Sequence, residues 1–303
     1  MDGLLLLDKP EGMTSHDVVF HVRRALNTRS VGHCGTLDPL ATGLMIMLIG
    51  EATKLSQYIL ERNKAYIVTA EVGYTTDTLD KTGQILSKSE LIPSDEKILA
   101  EALKLSGDFE LDVPIYSAAK VNGKKLYEYA RSGESVTIPK KIMSFFDLEL
   151  SSCQNGQLKA FMRCSKGSFI RSWVQLLGER LEVGACMVAL RRTESMPYLL
   201  SDAITLEQLS KLSKSEVESC SAFVGMSRVL PEAPSIRVSG QTLVMLNNGL
   251  ISHDLRSRLI ALVNPEVDHL IKVISYSGNL LALLALESGK GFVIRRVFKE
   301  PQE

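Results

Sequence analysis

The sequence predicts an α+β protein with a small β-rich module at its C-terminal end. Strand-length apolar runs at residues 3–7, 44–49 and 64–72 alternate with stretches of helical period, such as Val18, Val22 and Leu26. The C-terminal stretch holds four short apolar runs (259–263, 270–276, 280–287 and 292–298), punctuated by Gly249, Pro265, Gly278-Asn279 and Gly289 to Gly291. Short strands with frequent turns need closure to protect their edges, so this end reads as a small β-barrel. A chain of 303 residues accommodates one large domain and a small one. Pro231 and Pro234 mark the boundary, giving expected domains at 1–234 and 235–303.

Taken in order, residues 3–7 form a buried strand that runs into the turn Asp8-Lys9-Pro10-Glu11-Gly12. Thr14 is placed to cap the next helix, with Asp17 three residues on to complete a capping box. Residues 27–29 end that helix. The run 44–49 reads as a fully buried strand, and 51–60 as a helix with Ala52, Leu55 and Ile59 on one side. Residues 64–72 alternate as a strand and precede the turn Asp80-Lys81-Thr82-Gly83. A surface helix is expected over 94–105, behind Pro93. Residues 142–150 and 157–164 pair around Gln154-Asn155-Gly156. A helix over 168–181 carries Trp173, the only tryptophan, and a strand over 187–193 ends in Arg191-Arg192. Residues 201–221 read as one polar helix.

Composition narrows the class. Hydrophobic content of 45% with 23% charged residues is ordinary for a globular protein. Five cysteines without a Cys-x-x-Cys pair argue for a reducing compartment and against a disulfide frame or a thiolate zinc site. His16 and His21 are five apart, the wrong spacing for one helical face, so no metal is expected. No signal-peptide pattern opens the chain, and no apolar stretch approaches the ~20 residues of a membrane helix. A cytoplasmic protein without membrane contact is expected. The formal net charge is zero, yet residues 115–200 carry 13 Lys and Arg against 7 Asp and Glu, and residues 71–114 carry 4 against 10. A polyanion responds to the local surplus, because distant charges are screened. Within that basic region, residues 115–131 interleave Lys120, Lys124 and Lys125 with Tyr116, Tyr127 and Tyr129. Phosphates need charge and unstacked bases need flat partners, so this pattern suits single-stranded RNA. It equally describes an amphipathic helix over 124–131 with its tyrosines turned inward.

The most constrained stretch is 32–43, Gly-His-Cys-Gly-Thr-Leu-Asp-Pro-Leu-Ala-Thr-Gly. Glycine permits close backbone approach, and Pro39 pushes Asp38 out of the helical region. The expected product is a stiff loop that holds the Asp38 carboxylate at a defined angle, with His33 just upstream. This stretch resembles the catalytic motif of the bacterial TruB family of tRNA pseudouridine-55 synthases. Five further blocks resemble that family in its own order: residues 5–15 with Lys9-Pro10, Lys64-Ala65-Tyr66 with the segment 73–78, Tyr116 to Arg131, Cys164 to Arg171, and Leu190-Arg191-Arg192.

The resemblance implies a central mixed, largely antiparallel sheet flanked by helices, the pseudouridine synthase fold, with a PUA-like C-terminal barrel. It implies an RNA-gripping insertion at about 115–141. Position by position, Asp38 is the nucleophilic aspartate, Tyr66 stacks on the target uracil, and Arg171 pairs with Asp38. His33 contacts displaced RNA, Leu190 and Phe169 pack against the base, and Lys9 and Pro10 support the loop. Lys120, Lys124 and Lys125 contact RNA. Phe169 departs from the family's usual tyrosine, so a phenol at that position is lost. The implied substrate is the T arm of tRNA and the implied enzyme is a monomer without an obligate protein partner. Because the rearrangement stays within one substrate, it calls for no cofactor or metal. Two other readings remain: a catalytically silent tRNA-binding chaperone of the same fold, and a nucleoside hydrolase that releases uracil.

Overall fold

The leucines that open the chain leave no polar face, so their strand must be covered on both sides. The computed structural model describes residues 1–267 and 269–299. In it β1 (Gly3–Lys9) lies inside an 11-stranded sheet, with Leu4 to Leu7 buried. Thr14 caps α1 (Ser15–Ala25) through the expected box: its hydroxyl accepts the Asp17 amide, and Asp17 accepts the Thr14 amide. β2 (Val31–Cys34) pairs antiparallel with β3 (Thr42–Ile49), and the loop between them carries Asp38. A 3-10 segment (Gly50–Leu55) and the short α2 (Ser56–Leu60) replace the single helix expected over 51–60. Neither has a capping side chain to set a longer α-helix.

β4 (Lys64–Val72) runs on into a hairpin that the sequence reading missed, β5 (Tyr74–Thr76) with β6 (Ile85–Lys88). α3 (Asp95–Leu103) starts at its Ser94 cap, and β7 (Gly107–Asp112) forms one sheet edge. The basic insertion folds as a tiny hairpin, β8 (Lys120–Val121) with β9 (Lys124–Lys125), followed by α4 (Leu126–Ser132). β10 (Lys140–Gln154) and β11 (Gln157–Cys164) are joined at Asn155 and Gly156, whose φ angles of 52° and 77° are those a tight hairpin turn requires. Next come α5 (Ile170–Leu181), β12 (Ala185–Ser195), β13 (Tyr198–Leu199) and β14 (Ile204–Thr205). The stretch read as one helix over 201–221 is instead α6 (Leu206–Lys211), α7 (Lys214–Ser219) and flanking short strands, the second being β15 (Phe223–Gly225). Thr205 and Ser213 each open a capping box, and the second cap interrupts what one continuous helix would need.

The main path of the large sheet runs β14-β1-β3-β12-β4-β11-β10-β7. Its parallel contacts are β1 with β14 and β3 with β12, and its other pairs are antiparallel. The expected mixed, largely antiparallel sheet is therefore present. Since β12 lies between β3 and β4, the Asp38 loop, Tyr66 on β4 and Leu190 on β12 converge at one end of neighbouring strands.

The C-terminal module holds β16 (Ser235–Val238), α8 (Gly240–Asn247), α9 (His253–Leu262), β17 (Ile271–Ser275), β18 (Leu280–Glu287) and β19 (Gly291–Val297). Its four strands form one sheet in chain order, with β16 and β17 parallel. The apolar run 259–263 lies at the end of α9 and is not a strand; Leu255 and Leu259, one helical turn apart, are both buried. Residues 268 and 300–303 of the expected module lie outside the described residues. No helix among the described residues is long and apolar enough to cross a membrane.

The module is welded to the large sheet. Ile274, Leu280, Leu283 and Phe298 belong to the same apolar core as Leu4 to Leu7 and β3, while the module's own core gathers around Leu255, Val273 and Leu284. Buried Lys272 donates from Nζ to the carbonyls of Ser227 and Val229, at 3.1 Å each, and so ties the connection down. Truncating a buried aromatic leaves a cavity as well as losing its transfer energy. Phe298→Ala is expected to cost about 3 kcal/mol, seen as a lower urea midpoint in a single transition. An unchanged midpoint would show that the first core does not depend on the module.

Candidate active site

Asp38 opens a turn closed by the Ala41 amide, which donates to the Asp38 carbonyl at 3.0 Å. Pro39 fixes φ at the second position of that turn, a place proline favours. The loop is then tied from below. The Leu37 amide donates to Ser15 Oγ at 2.9 Å, and that hydroxyl donates to the Leu37 carbonyl at 3.0 Å. The Pro39 carbonyl accepts from the Gly12 amide at 2.8 Å and from Lys9 Nζ at 3.3 Å. Leu37, Leu40 and Ala41 sink into the second large core, leaving the carboxylate as the loop's outward group. Gly43 closes the loop at φ +100°, where a Cβ would strike the Arg192 carbonyl; only glycine lets β3 and β12 approach there.

Arg171, in the first turn of α5, meets this carboxylate with two parallel contacts: Nε to Oδ2 at 3.0 Å and Nη2 to Oδ1 at 3.1 Å. Nη2 also donates to the Tyr116 carbonyl at 3.0 Å, and Nη1 to the Thr78 carbonyl at 3.1 Å. Its side chain is 5% exposed, whereas that of Asp38 is 29% exposed. A planar guanidinium held by four acceptors has one orientation available. Burial pushes the Asp38 carboxyl above its ordinary range; Arg171 pulls the other way, and buried Asp80 adds to the rise. An arginine partner therefore does not leave Asp38 as an ordinary acid. Asp80 is itself held by Thr78 Oγ1 at 2.8 Å and by the Thr82 amide at 2.9 Å, which shapes the turn supplying the Thr78 carbonyl.

Asp38 faces a cleft of roughly 400 Å³ whose lining includes Tyr66, Phe169, Arg171, Leu190, Lys64, Lys141 and Arg192. Tyr66 is 7% exposed, and burial pushes its phenol up, so it stays protonated at neutral pH. Arg192, buried beneath, donates to the carbonyls of Leu44 at 2.6 Å and Gly35 at 3.2 Å. Lys64 donates to the carbonyls of Leu60 and Arg62, at 3.1 Å and 2.6 Å.

Five of the ten expected site residues thus meet in one cleft: Asp38, Tyr66, Phe169, Arg171 and Leu190. His33 is half-buried on β2, outside the lining, and burial lowers its pKa. Lys9 lies outside the lining. It is buried, and its ammonium is spent on the carbonyls of Pro10 and Pro39, so it braces the loop. Lys120, Lys124 and Lys125 sit on the β8–β9 hairpin, which follows the lining residue Ala119, and are not themselves in the lining. Lys124 pairs with Glu134 at 2.6 Å and lies over the Tyr129 ring, and Lys125 lies over Tyr127. The sequence reading missed Ser15, Lys64, Lys141 and Arg192 as parts of the site, and the carbonyls of Thr78 and Tyr116, which carry no side-chain signal.

An aspartate bonded bidentately to arginine, at the end of a mixed sheet beside an aromatic and aliphatic cleft, belongs to a known architecture. Solved chains of this shape include one in an archaeal box H/ACA sRNP Nop10-Cbf5 complex, with a TM-score of 0.66, 21% identity, and coverage of 98% of this chain and 85% of that one. A chain of a Cbf5-Nop10-Gar1 complex gives a TM-score of 0.67 at 22% identity, covering 98% and 84%. These likenesses define the fold class. Residues 23–170 match the model of the TruB family pseudouridylate synthase N-terminal domain, and residues 171–230 that of the tRNA pseudouridylate synthase B C-terminal domain. A tRNA pseudouridine synthase B of Bdellovibrio bacteriovorus is 54% identical over 306 residues, 98% of this chain and 97% of its own length. One from Bacillus licheniformis is 37% identical, covering 82% and 83%. The chain belongs to the TruB pseudouridine synthase family.

Burial pushes Lys64 down to about 8 from its ordinary 10.5. Between these values the unfolded chain holds the proton that the folded protein has released, so stability gains as pH rises. The stability of the wild type relative to Lys64→Met is expected to increase from pH 8 to pH 10.5, measured by urea unfolding. A constant gap across that window would mean Lys64 titrates as it does in water.

Proposed function

We propose that this protein isomerises uridine to pseudouridine in the T loop of tRNA, at position 55. The bidentate Asp38–Arg171 pair at the wall of the cleft is the observation that carries the reading. A stacked uridine hides its C1′ and C5, so the nucleotide must be extruded into a pocket, at a few kcal/mol of lost stacking. Tyr66, Phe169 and Leu190 offer the flat and apolar walls that hold an extruded base. Asp38 acts at the sugar, either by attacking C1′ or by drawing off the 2′ proton, and the C1′–N1 bond breaks. Its uracil turns over within the cleft, rejoins through C5 and loses the C5 proton. Arg171 keeps both carboxylate oxygens aimed throughout. Phe169 contributes its ring face alone, which suits packing and leaves hydroxyl chemistry to Tyr66.

The reading extends to the rest of the chain. The β8–β9 hairpin with α4 grips RNA phosphates and bases through Lys120, Lys124 and Lys125, and His33 meets the RNA beside the flipped nucleotide. Residues 1–234 form the catalytic domain, and 235–303 a PUA-like module that binds the acceptor side. Five free thiols suit a reducing compartment, and a cytoplasmic monomer is part of the proposal.

Asp38→Asn preserves shape and removes the charge. Incubated with an unmodified tRNA transcript, the wild type is expected to yield pseudouridine at position 55 and no free uracil. The variant should still bind the transcript and yield none. Modification by Asp38→Asn at the wild-type rate would overturn the role of the carboxylate, and released uracil would favour a hydrolase.

A further inference from the structure

Two exposed residues flank the mouth of the cleft and belong to none of the roles above. Leu60 and Gly167, from two separate segments, both line the cleft. Their chain neighbours, Glu61 and Lys166, meet across the gap with Nζ 3.1 Å from Oε1. Neither is a buried structural group, since their side chains are 67% and 57% exposed.

Each lip is built to present its charge. Glu61 caps the C-terminal end of α2, and the carbonyls on either side of it, those of Leu60 and Arg62, are both held by Lys64. Lys166 stands in a turn closed by the Ser168 amide on the Ser165 carbonyl at 3.2 Å, with Gly167 at φ +70°. Lys141 Nζ braces that turn by donating to the Gly167 carbonyl at 3.2 Å. The same turn leads directly into Phe169 and Arg171, which line the cleft with Asp38. Among the described residues, Asp38 is the one acid in the cleft lining, against Lys64, Lys141, Arg171 and Arg192. The lining therefore favours an anion, and exposed Glu61 is an acid next to it in the chain.

We propose that the Glu61–Lys166 ion pair is a latch across the cleft mouth, and that an RNA phosphate next to the flipped nucleotide displaces Glu61 to take Lys166. This rests on the RNA reading above. An exposed ion pair holds weakly, so a phosphate that brings its own charge-assisted bond can break it. Glu61 then acts as a competitor for Lys166: it orders the empty mouth and opposes the strand that enters.

A bystander pair and a latch differ in the sign of one variant. Binding of a fluorescent T-arm hairpin to the full chain is measured across salt from about 50 to 200 mM. Glu61→Gln is expected to tighten Kd by up to about fivefold. Lys166→Met is expected to weaken it and to lower the slope of log K against log salt by about 0.7 to 1, one phosphate contact. Lys166→Arg keeps the slope, and in the Glu61→Gln, Lys166→Met double variant the Glu61 change brings no gain, because the cation it would free is gone. Matching thermal melts show that all variants are folded. Unchanged or weaker binding by Glu61→Gln, or an unaltered slope in Lys166→Met, overturns the latch while wild-type modification of tRNA still stands. A wild type that neither binds nor modifies the hairpin sinks the RNA reading itself, and the latch with it.

Discussion

Everything at the site depends on one ion pair between residues 133 positions apart, Asp38 and Arg171. Neither partner is free to choose its geometry. The carboxylate stands on a loop pinned by Ser15, Gly12 and Lys9, and the guanidinium is pinned by two backbone carbonyls as well as by the acid. Such over-determination places a reactive group within the tolerance that catalysis demands, since small misplacements are expensive in rate. The sheet order makes the meeting possible: with β12 between β3 and β4, the loop, the tyrosine strand and the leucine strand share one end.

Around that pair the chain buries cations and satisfies them with backbone carbonyls. Lys9, Lys64 and Arg192 are all sequestered, and each donates to main-chain oxygens. A carbonyl dipole meets the hydrogen-bonding need of a charged donor without cancelling its charge, so the region stays electropositive where a buried carboxylate would have neutralised it. Burial accordingly pushes Lys9 and Lys64 down to about 8. The same desolvation lifts Asp38, and a carboxylate with raised proton affinity is a stronger base and nucleophile once ionised.

Features whose chemistry is local were legible in the sequence. The Thr14–Asp17 box, the Asn155-Gly156 turn and the stiff Asp38-Pro39 bend each declare themselves within a few residues. Arg171 as the partner of Asp38 came only through the family resemblance, because no spacing rule joins residues so far apart. Lys9 as a support of the loop also came only through the resemblance, because lysines are nearly always solvated and nothing local marks one that braces a carbonyl. The run 259–263 was misread because a short apolar stretch fits the end of a helix as well as a strand. Residues 201–221 hid a second cap, Ser213, inside a polar stretch that otherwise reads as continuous helix. The carbonyls of Thr78 and Tyr116 lay beyond sequence reading, as every residue has one.

The sharing of the first core between the opening strands and the C-terminal module bears on how the protein is made. Domains usually fold as units while synthesis proceeds, the earliest ones first. Here Leu4 to Leu7 emerge from the ribosome long before Ile274, Leu283 and Phe298 exist to cover their neighbourhood. The opening half therefore waits, incompletely packed, until the final strands leave the exit tunnel. A nascent chain stalled ahead of β17 lacks the part of this core that Ile274, Leu280, Leu283 and Phe298 supply.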